Sequence, residues 1–386
     1  VGSVMRPVTD RHQISRPKLA YLIDATAAPV CMIAPISSWA AAVSSTAQDL
    51  DTGISGIQLF IRAIPYNFYS FLTFVFIITL TLLKFDYGPM RGFEERARST
   101  GDLSAAPGST EENANPKGRV IDLIIPVVVL IITCTIGMIY VGGFFGADAS
   151  GCTDFAGDFI GAFGNTDAFV GLPWGGLISL IITVLYLVAR RVVGFREAMG
   201  CIPKGFQAMI SPIIILTLAV SLKTTLNALD AAGYVHDLMY AASEGLYNML
   251  PAVIFLVACV LAFASGTSWG TFGILIPIVT AIFPGDSSLL YIGISACCAG
   301  AVCGDHCSPI SDTTIMSSAG AQCEHVNHVA TQLPYAITVA CMSFICFVLA
   351  GFVQNWVICL AIGIVLTVCT LLVIRRNEAR HARIKD

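Results

Sequence analysis

From Asn355 to Ile374 the chain carries no charged residue for twenty positions. At 1.5 Å per residue, about 20 apolar residues make a helix that crosses the ~30 Å hydrocarbon core of a bilayer. Comparable runs occupy 65–84, 120–144, 168–189, 209–230, 332–353 and 355–375. In lipid every backbone polar group must be satisfied internally, and runs this long select helices over barrel strands. Charged residues make up 12% of the chain, half of the roughly 25% usual in a soluble domain. The expectation is an all-α polytopic membrane protein.

Two other classes fall away. No block of basic residues points to nucleic acid. Of the 14 cysteines most sit inside apolar runs, for example Cys259, Cys297, Cys298, Cys341 and Cys346, where a free thiol packs as a small hydrophobe. A disulfide framework is not expected, and no cofactor is expected.

Loop charge sets the orientation. Stretch 84–119 (Lys84, Arg91, Arg96, Arg98, Lys117, Arg119), stretch 190–204 and the tail after Arg375 are basic and face the cytoplasm. Loop 145–167 holds four aspartates and no Lys or Arg, and faces outward. The C-terminus is then cytoplasmic and the protein belongs in the cytoplasmic membrane. Closing this count leaves a net single crossing between 247 and 321, where two apolar regions lie. One of them must be a re-entrant hairpin and the other a broken span. The organisation reads as 1–86, the end of a first repeat (broken helix 19–47, span 54–84); 87–118, a flexible cytoplasmic loop; 119–375, the remaining spans with hairpin 248–283 and broken helix 286–320; and a tail, 376–386.

Three polar clusters interrupt these regions: 24–39 (DATAAPVCMIAPISSW), 265–273 (SGTSWGTFG) and 303–314 (CGDHCSPISDTT). Gly and Pro break the helix, while hydroxyls satisfy freed backbone groups or coordinate a ligand. APISSW (34–39) aligns with SPISDT (308–313), in regions that the charge count runs in opposite directions. Paired motifs of this kind point to an inverted-repeat secondary transporter with broken helices meeting at one midplane site. The first repeat has no room for its own hairpin before residue 19, and the chain starts at Val1, so an N-terminally truncated chain is expected.

These residues resemble the NhaC family of sodium/proton antiporters within the ion-transporter superfamily. The likeness rests on KLAYLIDATAAPV (18–30), APISSW (34–39), AIPYNFY (63–69), GTSWGT (266–271) and GDHCSPISDTT (304–314). It covers nearly the whole chain; Val220 stands where the family pattern has Trp. The family implies sodium/proton exchange, with some relatives exchanging organic acids such as malate and lactate.

Asp312 is the leading candidate for ion coupling, since an ionisable group at membrane depth is costly and by default functional. Capping of the following half-helix is its alternative role. Asp305 is a second candidate, and Asp24 is either a ligand or an interfacial carboxylate. Thr26, Ser37, Ser38, Thr267, Ser268, Thr271, Ser308, Ser311, Thr313 and Thr314 can offer oxygens to a hard cation or satisfy backbone. Asn67 is a further candidate. For sodium itself Asp312, Asp305, Ser311 and Thr313 lead. His306 carries protons or makes a structural bond. Cys303, Cys307, His325 and His328 mimic zinc spacing, but the thiols flank a membrane break and the histidines read as loop, which argues against zinc. Lys223 snorkels or pairs with Asp230, and the four tryptophans read as scattered.

The partners implied are sodium, protons, the lipid bilayer and, in an alternative reading, a small organic anion gripped by the same half-helices. The absence of Arg near these breaks favours a cation. An intramembrane enzyme built on the Cys-His neighbourhood or an Asp305–Asp312 pair, or a channel, would have no use for the paired motifs. The chain reads as a transporter and not as an enzyme.

Overall fold

The computed structural model describes residues 2–34, 39, 43, 56–105, 118–148, 151, 153–207, 210, 225, 228, 247–283, 285 and 287–385. Ser37, Ser38, nearly all of the expected span 209–230, Lys223 and Asp230 lie outside them. The named helices are α1 (Gly2–Arg11), α2 (Arg16–Ile33), α3 (Gly56–Ala63) with a 3-10 turn (Ile64–Tyr66), α4 (Phe68–Leu83), α5 (Pro89–Thr100), α6 (Ile121–Val141), α7 (Phe159–Gly164), α8 (Ala168–Ala189), α9 (Leu250–Ser265), α10 (Ser268–Ile282), α11 (Ser288–Cys307), α12 (Asp312–Ala321), α13 (His325–Val353) and α14 (Trp356–Lys385). Among the described residues no strand forms beyond one isolated bridge, Ala105 to Cys323.

Five of these helices are long and apolar enough to cross a membrane: α6, α8, α11, α13 and α14. The pair 58–66 and 68–83, bent by 44°, makes a sixth if taken as one span. The bend falls at Asn67, whose side chain caps α4 by accepting from the Ser70 N–H at 3.2 Å. The chain is a helical multi-pass membrane protein.

α11 is the centre of the molecule. Its span is 94% buried, whereas those of α6 and α8 are 11% buried. Small residues explain how neighbours close on it. A Cβ at Gly300 would land on the Phe255 carbonyl, and one at Gly304 on the Cys259 carbonyl. This Gly-x3-Gly face lets α9 approach backbone to backbone, as packing in lipid favours. α6 and α8 form a separate antiparallel pair, closed by Gly137, Gly171 and Gly175. Asp122 ties its end by accepting from Tyr186 at 2.9 Å and Arg190 at 3.1 Å.

α9 and α10 are 16 and 15 residues long, about 24 and 22 Å, so neither alone spans the ~30 Å core. Their ends away from the tip meet, with the Tyr247 and Phe283 rings 5.3 Å apart. Their tip turns at Gly266, which sits at φ +65°, a left-handed cap that favours Gly. A Cβ there would also strike Ile310. The region 248–283 is therefore a helical hairpin with its tip against α11.

The stretch 87–105 departs from the expected flexible loop. α5 buries Met90, Glu94 and Ala97 along one face. Glu94 accepts from the Ser15 N–H at 2.8 Å, and Lys18 Nζ lies 2.7 Å from Asp86 and 3.7 Å from Glu94. The one-face spacing was hidden by the surrounding polar composition. Residues 106–117 lie outside the described part.

Candidate functional site

The three polar breaks of the sequence converge. α2 ends at Ile33, and Ala34, which precedes Pro35, is extended at φ −90°, ψ 114°. α11 ends at Cys307, and Ser308, which precedes Pro309, is extended at φ −80°, ψ 126°. Proline excludes the helical conformation from the residue before it, so both copies of the motif break at the same place for the same reason. The hairpin tip meets the second break through Gly266 and Ile310. It meets the first through Trp39, whose ring lies 5.7 Å from Trp269 and 5.5 Å from Phe272. Two of the tryptophans that read as scattered are therefore packed together at this junction; their separation in sequence concealed it.

Asp305, in the last turn of α11, is 2% exposed. Its Oδ2 accepts from Ser268 Oγ of the hairpin tip at 2.8 Å. Its Oδ1 is buried, and among the described residues it closes no hydrogen bond, although Ser311 faces it. The Thr314 hydroxyl reaches the Asp305 carbonyl at 3.4 Å. Ser308, Ser311 and Thr314 are buried around it. Ser311 caps α12 and lies 2.9 Å from the Thr313 hydroxyl.

Asp312 stands differently. It is half-buried, begins α12, and turns Oδ1 back to the Thr313 N–H at 2.9 Å. That is first-turn geometry, in which a carboxylate complements the helix dipole. Other candidates also have local bonds. Thr26 donates to the Leu22 carbonyl at 2.6 Å, Thr271 to the Thr267 carbonyl at 3.0 Å, and Thr267 caps α10. Each hydroxyl oxygen keeps acceptor capacity beyond those bonds.

Asp24 is fully buried at the middle of α2. Gln332 Nε2 donates to its Oδ2 at 2.8 Å. His328 Nε2 lies 3.4 Å from the same oxygen, and His306 Nε2 lies 3.9 Å from Oδ1. His306 Nε2 is 3.0 Å from the Asp24 backbone carbonyl, a pure acceptor, so this nitrogen carries the ring proton in the neutral form. Its Nδ1 is then free to accept from Tyr69 Oη at 3.3 Å. Asp24 Oδ1, Gln332 Oε1 and both His328 ring nitrogens are buried without a hydrogen bond among the described residues. Natively such atoms are few, and each calls for an explanation.

Tyr69 and Gln332 were not among the candidates, and His328 entered only through the zinc-like spacing. The sequence places 321–331 in a loop, yet α13 begins at His325 and His328 is completely buried. The polar run HVNHVATQ lowers local hydropathy and masks a helix. His328 and Gln332 are four residues apart, one helical face, and that spacing was the available signal. The zinc-like set is dispersed: His325 bonds Pro309 O and Ser318, while His328 faces Asp24. Among the described residues no three His, Cys, Asp or Glu groups are arranged to hold a metal.

A protein-family model described as the Na+/H+ antiporter family matches residues 30–352. An uncharacterized protein of Haemophilus influenzae is 37% identical over 361 residues, covering 92% of this chain and 67% of its own length. A Bacillus subtilis protein named malate-2H(+)/Na(+)-lactate antiporter is 28% identical over 193 residues, covering 48% of this chain and 40% of its own. The chain thus spans about two thirds and two fifths of these relatives. No solved structure matches it.

Proposed function

Since the chain belongs to the Na+/H+ antiporter family, we propose that this cation-coupled membrane transporter exchanges sodium for protons across the cytoplasmic membrane by alternating access. The observation that carries the reading is Asp305. A buried carboxylate with one oxygen bonded by a hairpin serine and the other closing no hydrogen bond among the described residues can take up a proton or a cation on that oxygen. A proton and a sodium ion both fill that role, and each excludes the other, which is the logic of antiport. Ser268, Ser311 and Thr314 bring hydroxyl oxygens, the ligands that hard cations prefer, against Asp305, and Ser308 and Thr313 belong to the same break. The two pre-proline breaks support an inverted-repeat scaffold around this point. The basic residues Lys84, Arg91 and Arg98 support placing α5 and the C-terminus on the cytoplasmic side.

One comparison favours a second reading. The Bacillus subtilis relative is named for malate and lactate, and an organic acid could accompany the cation here. The test uses the full-length protein in everted vesicles, following internal pH after addition of sodium, lithium, then malate or lactate. Proton release on sodium alone is expected. Release that requires the organic acid selects the second reading. No response to any addition, with protein verified in the membrane, contradicts both.

A further inference from the structure

Gln332 makes two hydrogen bonds that join three helices. From α13, its Nε2 donates to Asp24 Oδ2 of α2 at 2.8 Å and to the His306 carbonyl of α11 at 2.5 Å. The side chain is 1% exposed. A carboxamide nitrogen has two N–H donors, so both bonds form at once. Both partners are pure acceptors here, so a flipped amide would set Oε1 against two oxygens; the orientation is fixed. The His306 carbonyl is in the final turn of α11, where helix geometry leaves carbonyls without intrahelical donors. Gln332 therefore caps the very turn that carries Asp305 while it holds the Asp24 carboxylate.

We propose that Gln332 is a positioning residue that couples Asp24 to the α11 turn bearing Asp305. The inference rests on the antiport reading above and names the device that links its two buried carboxylates. If the end of α11 shifts relative to α2, the two acceptors separate, and one amide nitrogen cannot follow both. Each arrangement of the break thus dictates whether Asp24 keeps its donor. Gln332 makes the shortest contact with the Asp24 carboxylate, at 2.8 Å, while His328 and His306 approach it to 3.4 and 3.9 Å.

The test measures sodium uptake and proton release together in proteoliposomes containing the full-length protein. In Gln332→Ala and Gln332→Glu, protons moved per sodium should fall below the wild-type ratio, because the Asp24 carboxylate and the α11 turn no longer share a donor. A glutamic acid keeps the shape but has at most one donor, so it cannot hold both acceptors. A purely structural role lowers both fluxes together at constant ratio, and that result overturns the proposal. Length exchange provides a second readout that does not depend on transport. Gln332→Asn and Asp24→Glu should each lower the melting temperature, and the double variant should recover most of the loss. Additive losses overturn the proposal. If the wild type releases no protons, the antiport reading fails on its own, and the melting cycle still decides whether Gln332 holds Asp24.

Discussion

Asp305 and Asp312 sit in one motif, yet their surroundings differ. Asp305 is buried and bonded by Ser268 across from another helix; Asp312 is half-buried and bonded to its own helix start. Asp305→Asn is therefore expected to abolish sodium-stimulated proton release. Asp312→Asn removes a first-turn interaction worth about 0.3–1 kcal/mol, a change of roughly two- to fivefold. Equal, complete losses in the two variants would contradict this ranking. Ser268→Ala leaves a buried carboxylate short of a donor, so half-saturating sodium should shift about tenfold or more. Asn67 offers the opposite case. Its oxygen caps α4, and Asn67→Ala should cost about 1 kcal/mol of stability. A thermal shift with unaltered half-saturating sodium is expected, and altered sodium affinity without a thermal shift would make Asn67 a ligand after all.

At the scale of elements, the sequence showed where helices stop better than how they touch. Ala34 and Ser308 were readable because proline acts on its immediate neighbour. Loop charge and length called for one hairpin and one broken span between 247 and 321. The extension of α13 to His325 was not, since hydropathy averages over polar residues that a helix buries on one face. The pairing of Trp39 with Trp269 and of Asp24 with Gln332 was also invisible, because contacts across hundreds of residues leave no local pattern. Gly300 read only as part of an apolar run and Gly304 as part of a polar break, whereas they set the approach of α9 to α11. Gly300→Leu should force overpacking costing about 1–3 kcal/mol. A Cβ added at Gly273 would meet nothing within 4 Å, so Gly273→Ala serves as the control. A lower melting temperature for the first and not the second is expected in detergent; equal behaviour would mean the α9–α11 contact is not tight.

For the whole molecule, two ends of the bundle are distinguishable. One gathers α5, the Lys18–Asp86–Glu94 cluster and the Arg91–Glu378 pair, 2.6 Å apart, which joins α5 to α14. The other holds Gln354 and the Tyr66 hydroxyl that donates to its carbonyl. Helices α4, α13 and α14 run between them, so single cysteines placed at Arg98 and Gln354 should label from opposite sides of the membrane. Labelling from one side would overturn the topology. The enclosed α11, with the hairpin tip at its end, places Asp305 where the breaks meet and Asp24 against its last turn, and neither lies on the lipid-facing surface. Whether Asp305 is the shared seat of sodium and proton is decided by proton flux in proteoliposomes given an inward sodium gradient, for wild type and Asp305→Asn. Sodium-driven proton efflux is expected in the wild type and none in the variant. Wild-type flux retained in Asp305→Asn would contradict that role.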